Sequence, residues 1–257
     1  MQLIFVEGVS GVGKTTLARK LCDKLNEMGR SARCYLEFDF TNPIDFYCTA
    51  YFKQDEYAAL LIEYSQFAED IASNTLIAED VRLVRYYNED TPLFTKPLLK
   101  ILEKHEFCWK PSLLIPISEY TRVYKSVWEQ FAQNANAQHD YLIFDGSLFH
   151  HPISDMTRNY NASRAQVIHH VNTLIDTVNS FQPWVIYLSS ENVAEQLRNA
   201  RKCRKQSPPT KRQIQFWENR KQMDLVVMQQ LSIPYDVFDI SSGNWDEQLG
   251  AIMVHLR

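Results

Sequence analysis

The chain has 257 residues, 45% of them apolar and 23% charged, with a net charge of -4 at pH 7. That balance describes a soluble globular chain and excludes both extended disorder and a whole-surface attraction to nucleic acid or anionic membrane. Five scattered cysteines without a C-x-x-C pair read as reduced thiols, and no apolar stretch approaches the roughly 20 residues that a bilayer span needs.

The first element is an apolar run from Leu3 to Val6, read as a buried strand. It lacks a basic leader and runs straight into glycines, which argues against a secretory signal and for a cytoplasmic protein. Gly8-Val9-Ser10-Gly11-Val12-Gly13-Lys14-Thr15 then matches G-x-x-x-x-G-K-[ST] in full. The spacing has a physical basis. Glycines at 8, 11 and 13 let backbone N–H groups curl around phosphates, and the following helix start adds unpaired donors and a positive dipole end. Gly8, Ser10, Gly11, Val12, Gly13, Lys14, Thr15 and Thr16 are therefore the candidate nucleotide-binding residues, with Lys14 reaching the β and γ phosphates and the Thr15 hydroxyl ligating Mg2+. Glu7, just before the loop, either faces an acceptor or is a hydrogen-bonded acid at a strand end.

An amphipathic helix is expected from Lys14 to Met28, stopped by Gly29, and a second strand from Ala32 to Leu36. Glu37-Phe38-Asp39 lies at the carboxyl end of that strand. A carboxylate there could orient an acceptor hydroxyl and take its proton, with Glu37 the first candidate and Asp39 the second. Alternation along a strand lets only one of them face the site.

From about residue 41 to 139 the chain is far longer than a crossover requires, and it reads as an insertion of several helices that walls a substrate pocket. Its aromatics, Phe46, Tyr47, Tyr51, Phe52, Tyr57, Tyr64 and Phe67 among them, serve either as core or as a stacking surface for a flat ring. Tyr141 to Phe144 is a third strand ending in Asp145, a second candidate Mg2+ ligand that could equally cap the next helix. His150-His151-Pro152 follows and is a candidate lining of the acceptor pocket; no third ligand at metal spacing in the sequence makes the pair a zinc site. Trp184 to Leu188 and Tyr235 to Ile240 complete the strands. Between them Arg198, Arg201 and Arg204 recur at helical spacing, with Lys202, Lys205, Lys211 and Arg212 nearby. The segment reads as a lid over about residues 198–212. Arg198 would contact the nucleotide, while Arg201 and Arg204 would stabilise charge on the transferred phosphoryl group. A solvated basic face is the plainer alternative.

Strand, glycine loop, acid after strand two, acid after strand three and late arginines occur in the order that resembles the nucleoside and nucleotide kinase group of P-loop proteins. Val6 to Thr16 is similar to the opening of deoxynucleoside and thymidylate kinases. Tyr35-Leu36-Glu37, with Pro43 downstream, is similar to the deoxynucleoside kinase segment that carries the catalytic base, and Arg198, Arg201 and Arg204 look like the lid arginines. One departure bears on the acceptor. The family commonly has an arginine after the strand-three acid, and here the sequence is Asp145-Gly146-Ser147, leaving Arg122 and Arg158 as candidates to replace its charge.

The expectation is therefore a single domain over residues 1–257. It has a three-layer α/β/α sandwich, a five-stranded parallel sheet, a helical insertion and an arginine-rich lid. ATP and Mg2+ are the expected cofactors. A small-molecule acceptor is the expected partner, with no nucleic acid or membrane, and a homodimer is compatible with the sequence. The competing readings are a kinase of another hydroxylated metabolite or antibiotic and a regulatory P-loop NTPase. The latter lacks a guanine-reading Asn/Thr-Lys-x-Asp, since Thr95-Lys96-Pro97-Leu98 has no acid.

Overall fold

The structure, a computed structural model, describes residues 1–135, 138–241 and 243–256; positions 136 and 137 of the expected insertion lie outside the described residues. In chain order the first elements are β1 (Gln2–Gly8), α1 (Lys14–Glu27), β2 (Ala32–Tyr35), β3 (Thr49–Lys53), α2 (Gln54–Glu63) and α3 (Ala68–Ser73). There follow β4 (Thr75–Ala78), β5 (Val81–Arg85), β6 (Tyr87–Asn88), β7 (Thr91–Pro92), α4 (Lys96–Lys104), α5 (Ile117–Asn134) and β8 (Tyr141–Asp145). The last are α6 (His150–Asn159), α7 (Arg164–Val178), β9 (Trp184–Ser189), α8 (Val193–Cys203), α9 (Lys211–Met228), β10 (Tyr235–Asp239) and α10 (Trp245–His255). The chain forms two compact units: Met1–Glu37 with Asn136–Ser154 and Ser163–Arg257, and Phe38–Ala135 with Asp155–Ala162.

The first unit is built on a five-stranded sheet in the order β10-β9-β1-β8-β2, with the pairs parallel throughout. All five apolar runs of the sequence are its strands. β1 is central and buried on both faces, which is why it reads as a continuous apolar run without alternation. Ile4 and Val6 join Ile143, Ile186 and Leu188 in a core with Leu17, Leu21 and Leu25 of α1. Phe5 points to the other face by the two-residue period and stacks on Phe144, which stacks in turn on Tyr35. Each fully buried leucine of α1 contributes about 1.5–3 kcal/mol by leaving water, so that helix is anchored by its apolar stripe. It ends where Gly29 takes a φ of +77° and Arg30 N–H donates to the Leu25 carbonyl.

The second unit differs from the run of helices expected for it. It contains a three-stranded antiparallel sheet, β3-β5-β4, and the β6-β7 pair as well as α2 to α5. Its apolar core joins Ala50 and Phe52 of β3, Leu60 of α2, Ile71 of α3, Val84 of β5 and Leu98 and Leu102 of α4. The aromatics divide between uses. Phe46, Phe107, Tyr120 and Tyr124 pack ring against ring in the interior, whereas Phe38 is exposed and meets Tyr47 and Trp109. Arg122 is held in ion pairs by Glu79, Asp80 and Glu119. No helix is long and apolar enough to cross a membrane among the described residues.

Candidate functional site

The glycine loop joins β1 to α1, and its backbone explains its composition. Gly8, Gly11 and Gly13 have φ values of +141°, +78° and +97°. At Gly8 space is as limiting as conformation, because a Cβ there would lie 2.5 Å from the Leu188 carbonyl oxygen of the neighbouring strand. α1 begins at Gly13 with no side-chain cap and no acid in its first turn. The orphan N–H donors of that helix end are left for an outside anion. Gln196 of α8 donates to the Gly11 carbonyl oxygen at 2.6 Å, and the indole of Trp245 occupies the space beside Gly13. Neither contact is visible in the motif.

The register of β1 against β8 places Val6 opposite Asp145, and β2 against β8 places Tyr35 opposite Phe144. The glycine loop, Asp145 and Glu37 consequently leave the carboxyl edges of three adjacent strands. Ligands of open parallel sheets sit at this edge. Thr15 Oγ1 donates to Asp145 Oδ2 at 2.5 Å, and the Glu37 N–H approaches the same oxygen at 3.5 Å. Asp145 is wholly buried and its Oδ1 has no hydrogen-bond partner, an acceptor left for a cation or its water. Two oxygen donors at one point suit a hard ion, so Thr15 and Asp145 fit Mg2+. Burial raises the Asp145 carboxyl above the usual range, against the lowering effects of Lys14 and Thr15.

Lys14 is buried, with its ammonium 3.3 Å from the Val9 carbonyl oxygen and 3.2 Å from His150 Nδ1. His150 Nδ1 also lies 3.1 Å from the Gly8 carbonyl oxygen, and its ring stacks on Trp217 at 5.2 Å. Burial first, then Lys14, holds this imidazole neutral well below its ordinary pKa. Glu37 is partly exposed and meets His151 Nε2 at 3.4 Å. Burial would raise its carboxyl, but the hydrogen bond and charge of His151, with Lys14 and Arg204, outweigh that and hold it at about 2.

Glu7 is a brace. Its two carboxylate oxygens accept the backbone N–H groups of Leu148 and His150 at 2.8 and 2.9 Å, and burial raises the group to about 7 against those bonds. The segment after β8 is gripped from the other side by a residue the sequence reading missed. Buried Arg220 donates to the Phe149 and His150 carbonyl oxygens and to Asp224, which also accepts from Tyr187. The only sequence signal for this network is the i,i+4 spacing of Arg220 and Asp224 on α9.

The remaining candidates are placed as follows. Thr16 is exposed on the first turn of α1, whereas Val12 is buried in the core. Asp39 belongs to the second unit, where its carboxylate accepts from the Thr41 N–H and hydroxyl in a local turn. Arg198 is exposed on α8. Arg201 folds back onto the Ser207 and Pro208 carbonyl oxygens, whereas Arg204, at the end of α8, acts electrostatically on Glu37. Arg158 is exposed on α6 and acts on Asp155.

No protein-family model matches the chain, and neither does any curated protein. A solved structure of a YorR protein from Bacillus subtilis, in complex with phosphorylated GDP, is similar at 11% identity and a TM-score of 0.46. The alignment covers 99% of this chain and 95% of that one.

Proposed function

We propose that the chain is an ATP- and Mg2+-dependent phosphotransferase that moves the γ-phosphoryl group to a small-molecule acceptor, a nucleoside or nucleotide in the first instance. The observation that carries the reading is the meeting, at one sheet edge, of the Thr15-Asp145 oxygen pair, the Lys14 ammonium and the Glu37 carboxylate. The first two are donor-side groups. A separate ionised carboxylate beside them is what a hydroxyl acceptor needs and what simple nucleotide binding does not.

In this reading the backbone of Gly8 to Gly13 and the start of α1 bind the phosphates, and Lys14 exchanges Val9 and His150 for the β and γ oxygens. Thr15 and Asp145 would hold Mg2+, which when bound neutralises charge on the phosphates. The acceptor oxygen forms its bond to the γ phosphorus as the bond to the β-bridging oxygen breaks, and the acceptor proton passes to Glu37. A carboxylate held at about 2 is a weak base. Its work is therefore chiefly to orient the hydroxyl, with the proton leaving late, in keeping with a loose transition state. Arg204 is the lid residue proposed to add positive charge near the acceptor, and Arg201 to shape the lid turn.

The test is ADP release with ATP and Mg2+ across a panel of nucleosides, nucleotides and aminoglycoside-like compounds. Turnover that stays near zero until one acceptor is added supports the proposal. Strong hydrolysis independent of any acceptor, or a response only to nucleic acid, overturns it.

A further inference from the structure

The sequence offers two adjacent histidines and no third ligand near them, but the fold supplies one. Glu37, His150 and His151 each offer one ligand atom, and the three atoms lie within 4.8 Å of one another. His151 Nε2 and Glu37 Oε1 are 3.4 Å apart, about the ligand-to-ligand edge of a tetrahedral site with metal bonds of ~2.0–2.1 Å. Both histidines are buried, and Glu37 provides the partly exposed side through which an ion could enter. His150 has the outer support typical of a metal-bound imidazole. Its Nδ1 lies between the Gly8 carbonyl oxygen at 3.1 Å and the Lys14 ammonium at 3.2 Å; in the tautomer that donates Nδ1–H to Gly8, with Lys14 turned away, the lone pair is on Nε2, and Trp217 stacks on the ring.

We propose that Glu37, His150 and His151 form a binding site for a borderline divalent transition metal ion, represented by Zn2+, beside the oxygen pair of Thr15 and Asp145. Two imidazoles, which must give up any extra proton to ligate, and one carboxylate suit Zn2+ and are poor ligands for Mg2+, which demands oxygen. Three protein ligands leave a fourth position for water or another small oxygen ligand. The site uses the carboxylate assigned above to the acceptor, so a bound zinc ion would withdraw Glu37 from that role. This consequence rests on the phosphotransferase reading; the binding itself does not. Lys14 opposes the ion, since its ammonium stands 3.2 Å from His150 Nδ1.

The experiment titrates the full chain with Zn2+ alone, without nucleotide or acceptor, against a chromophoric chelator. Co2+ as a substitute then reports coordination number by its visible absorption. One equivalent of zinc is expected to bind. Glu37→Gln and His151→Gln should each weaken it by at least about tenfold, since loss of a ligand should exceed the known cost of losing its outer support. Lys14→Met should tighten it, and His169→Gln, at an exposed histidine of α7, should leave it unchanged. Circular dichroism identifies any variant that fails to fold, and the partly exposed Glu37 makes the glutamine variant there the deciding one. Absence of saturable binding, or equal affinity in Glu37→Gln and the parent chain, overturns the proposal. Because neither nucleotide nor acceptor is present, that result leaves the phosphotransferase reading standing, and silent ADP assays leave the zinc result standing.

Discussion

At the residue scale the proposed phosphotransfer gives each group its own task, and substitutions should separate the tasks. Lys14→Ala removes the buried ammonium that donates to the Val9 carbonyl oxygen of the glycine loop, and ADP release should fall to background. Glu37→Gln keeps the shape of the side chain but cannot accept a proton. It should lower kcat by about 10², the low end for a positioned proton acceptor, while the KM for ATP stays within a small factor. Unchanged kcat would remove Glu37 from the mechanism. Asp145→Asn should raise the Mg2+ concentration that gives half-maximal rate, measured at fixed ATP. Lys14 and Thr15 are legible in the sequence because their spacing is local, and Asp145 because an apolar strand points to its own end. The pairing of Glu37 with His151 is not legible, since it depends on the register of β2 against β8. Arg220 hid for the same reason: its partners Phe149 and His150 come from a distant segment.

Among the elements, α8 turns out to do more than carry arginines. It lies on the outside of the glycine loop, so a Cβ placed at Gly11 would come within 2.6 Å of Ala200 Cβ. Gly11→Ala should therefore destabilise the fold by roughly 1–3 kcal/mol, from overpacking and from the positive φ together. Adding Ala200→Gly should recover the packing part only, which a double-mutant cycle of thermal unfolding would measure. The two arginines proposed for a lid should separate as well. Arg204→Ala should slow transfer through Glu37, while Arg201→Ala loosens the turn at Ser207 and Pro208 and leaves the acceptor step nearly intact; equal losses in kcat would reject that division. Strands of the central sheet were readable as short apolar runs. β3 and β5 were not, because Thr49–Lys53 and Val81–Arg85 are short, mixed with charged residues and embedded among helices.

At the scale of the whole molecule, each unit carries a titratable group that marks its stability, the buried His170 in the first and the half-buried Glu106 in the second. In the first, burial lowers His170 to about 3. The unfolded chain takes up a proton there below about 6.5 and the folded chain does not, so stability is lost as pH falls from 6.5 towards 3. In the second, burial raises Glu106 to about 8. The folded state keeps a proton that the unfolded state has released above 4.5, so stability declines from 4.5 to 8, with a slope of at most about 1.4 kcal/mol per pH unit for each group. Denaturant unfolding of His170→Leu and Glu106→Gln against the parent chain should show differences that grow in opposite pH directions. Parallel curves for either variant would refute its assignment. Neither group could be found from sequence, where a histidine on an amphipathic helix and a glutamate among charged neighbours look ordinary.

Two of the five tryptophans border the glycine loop and its lysine: Trp245 against Gly13, and Trp217 stacked on His150, the neighbour of Lys14. Indole emission depends on nearby charge and on quenching by imidazole. Phosphates arriving at Gly13 should change the fluorescence of Trp245, and an ion or proton on His150 should change that of Trp217. Trp245→Phe should abolish the ATP-dependent part of the signal, and Trp217→Phe the zinc-dependent part. The unlabelled chain thereby carries separate optical reporters for the two ligands proposed for it.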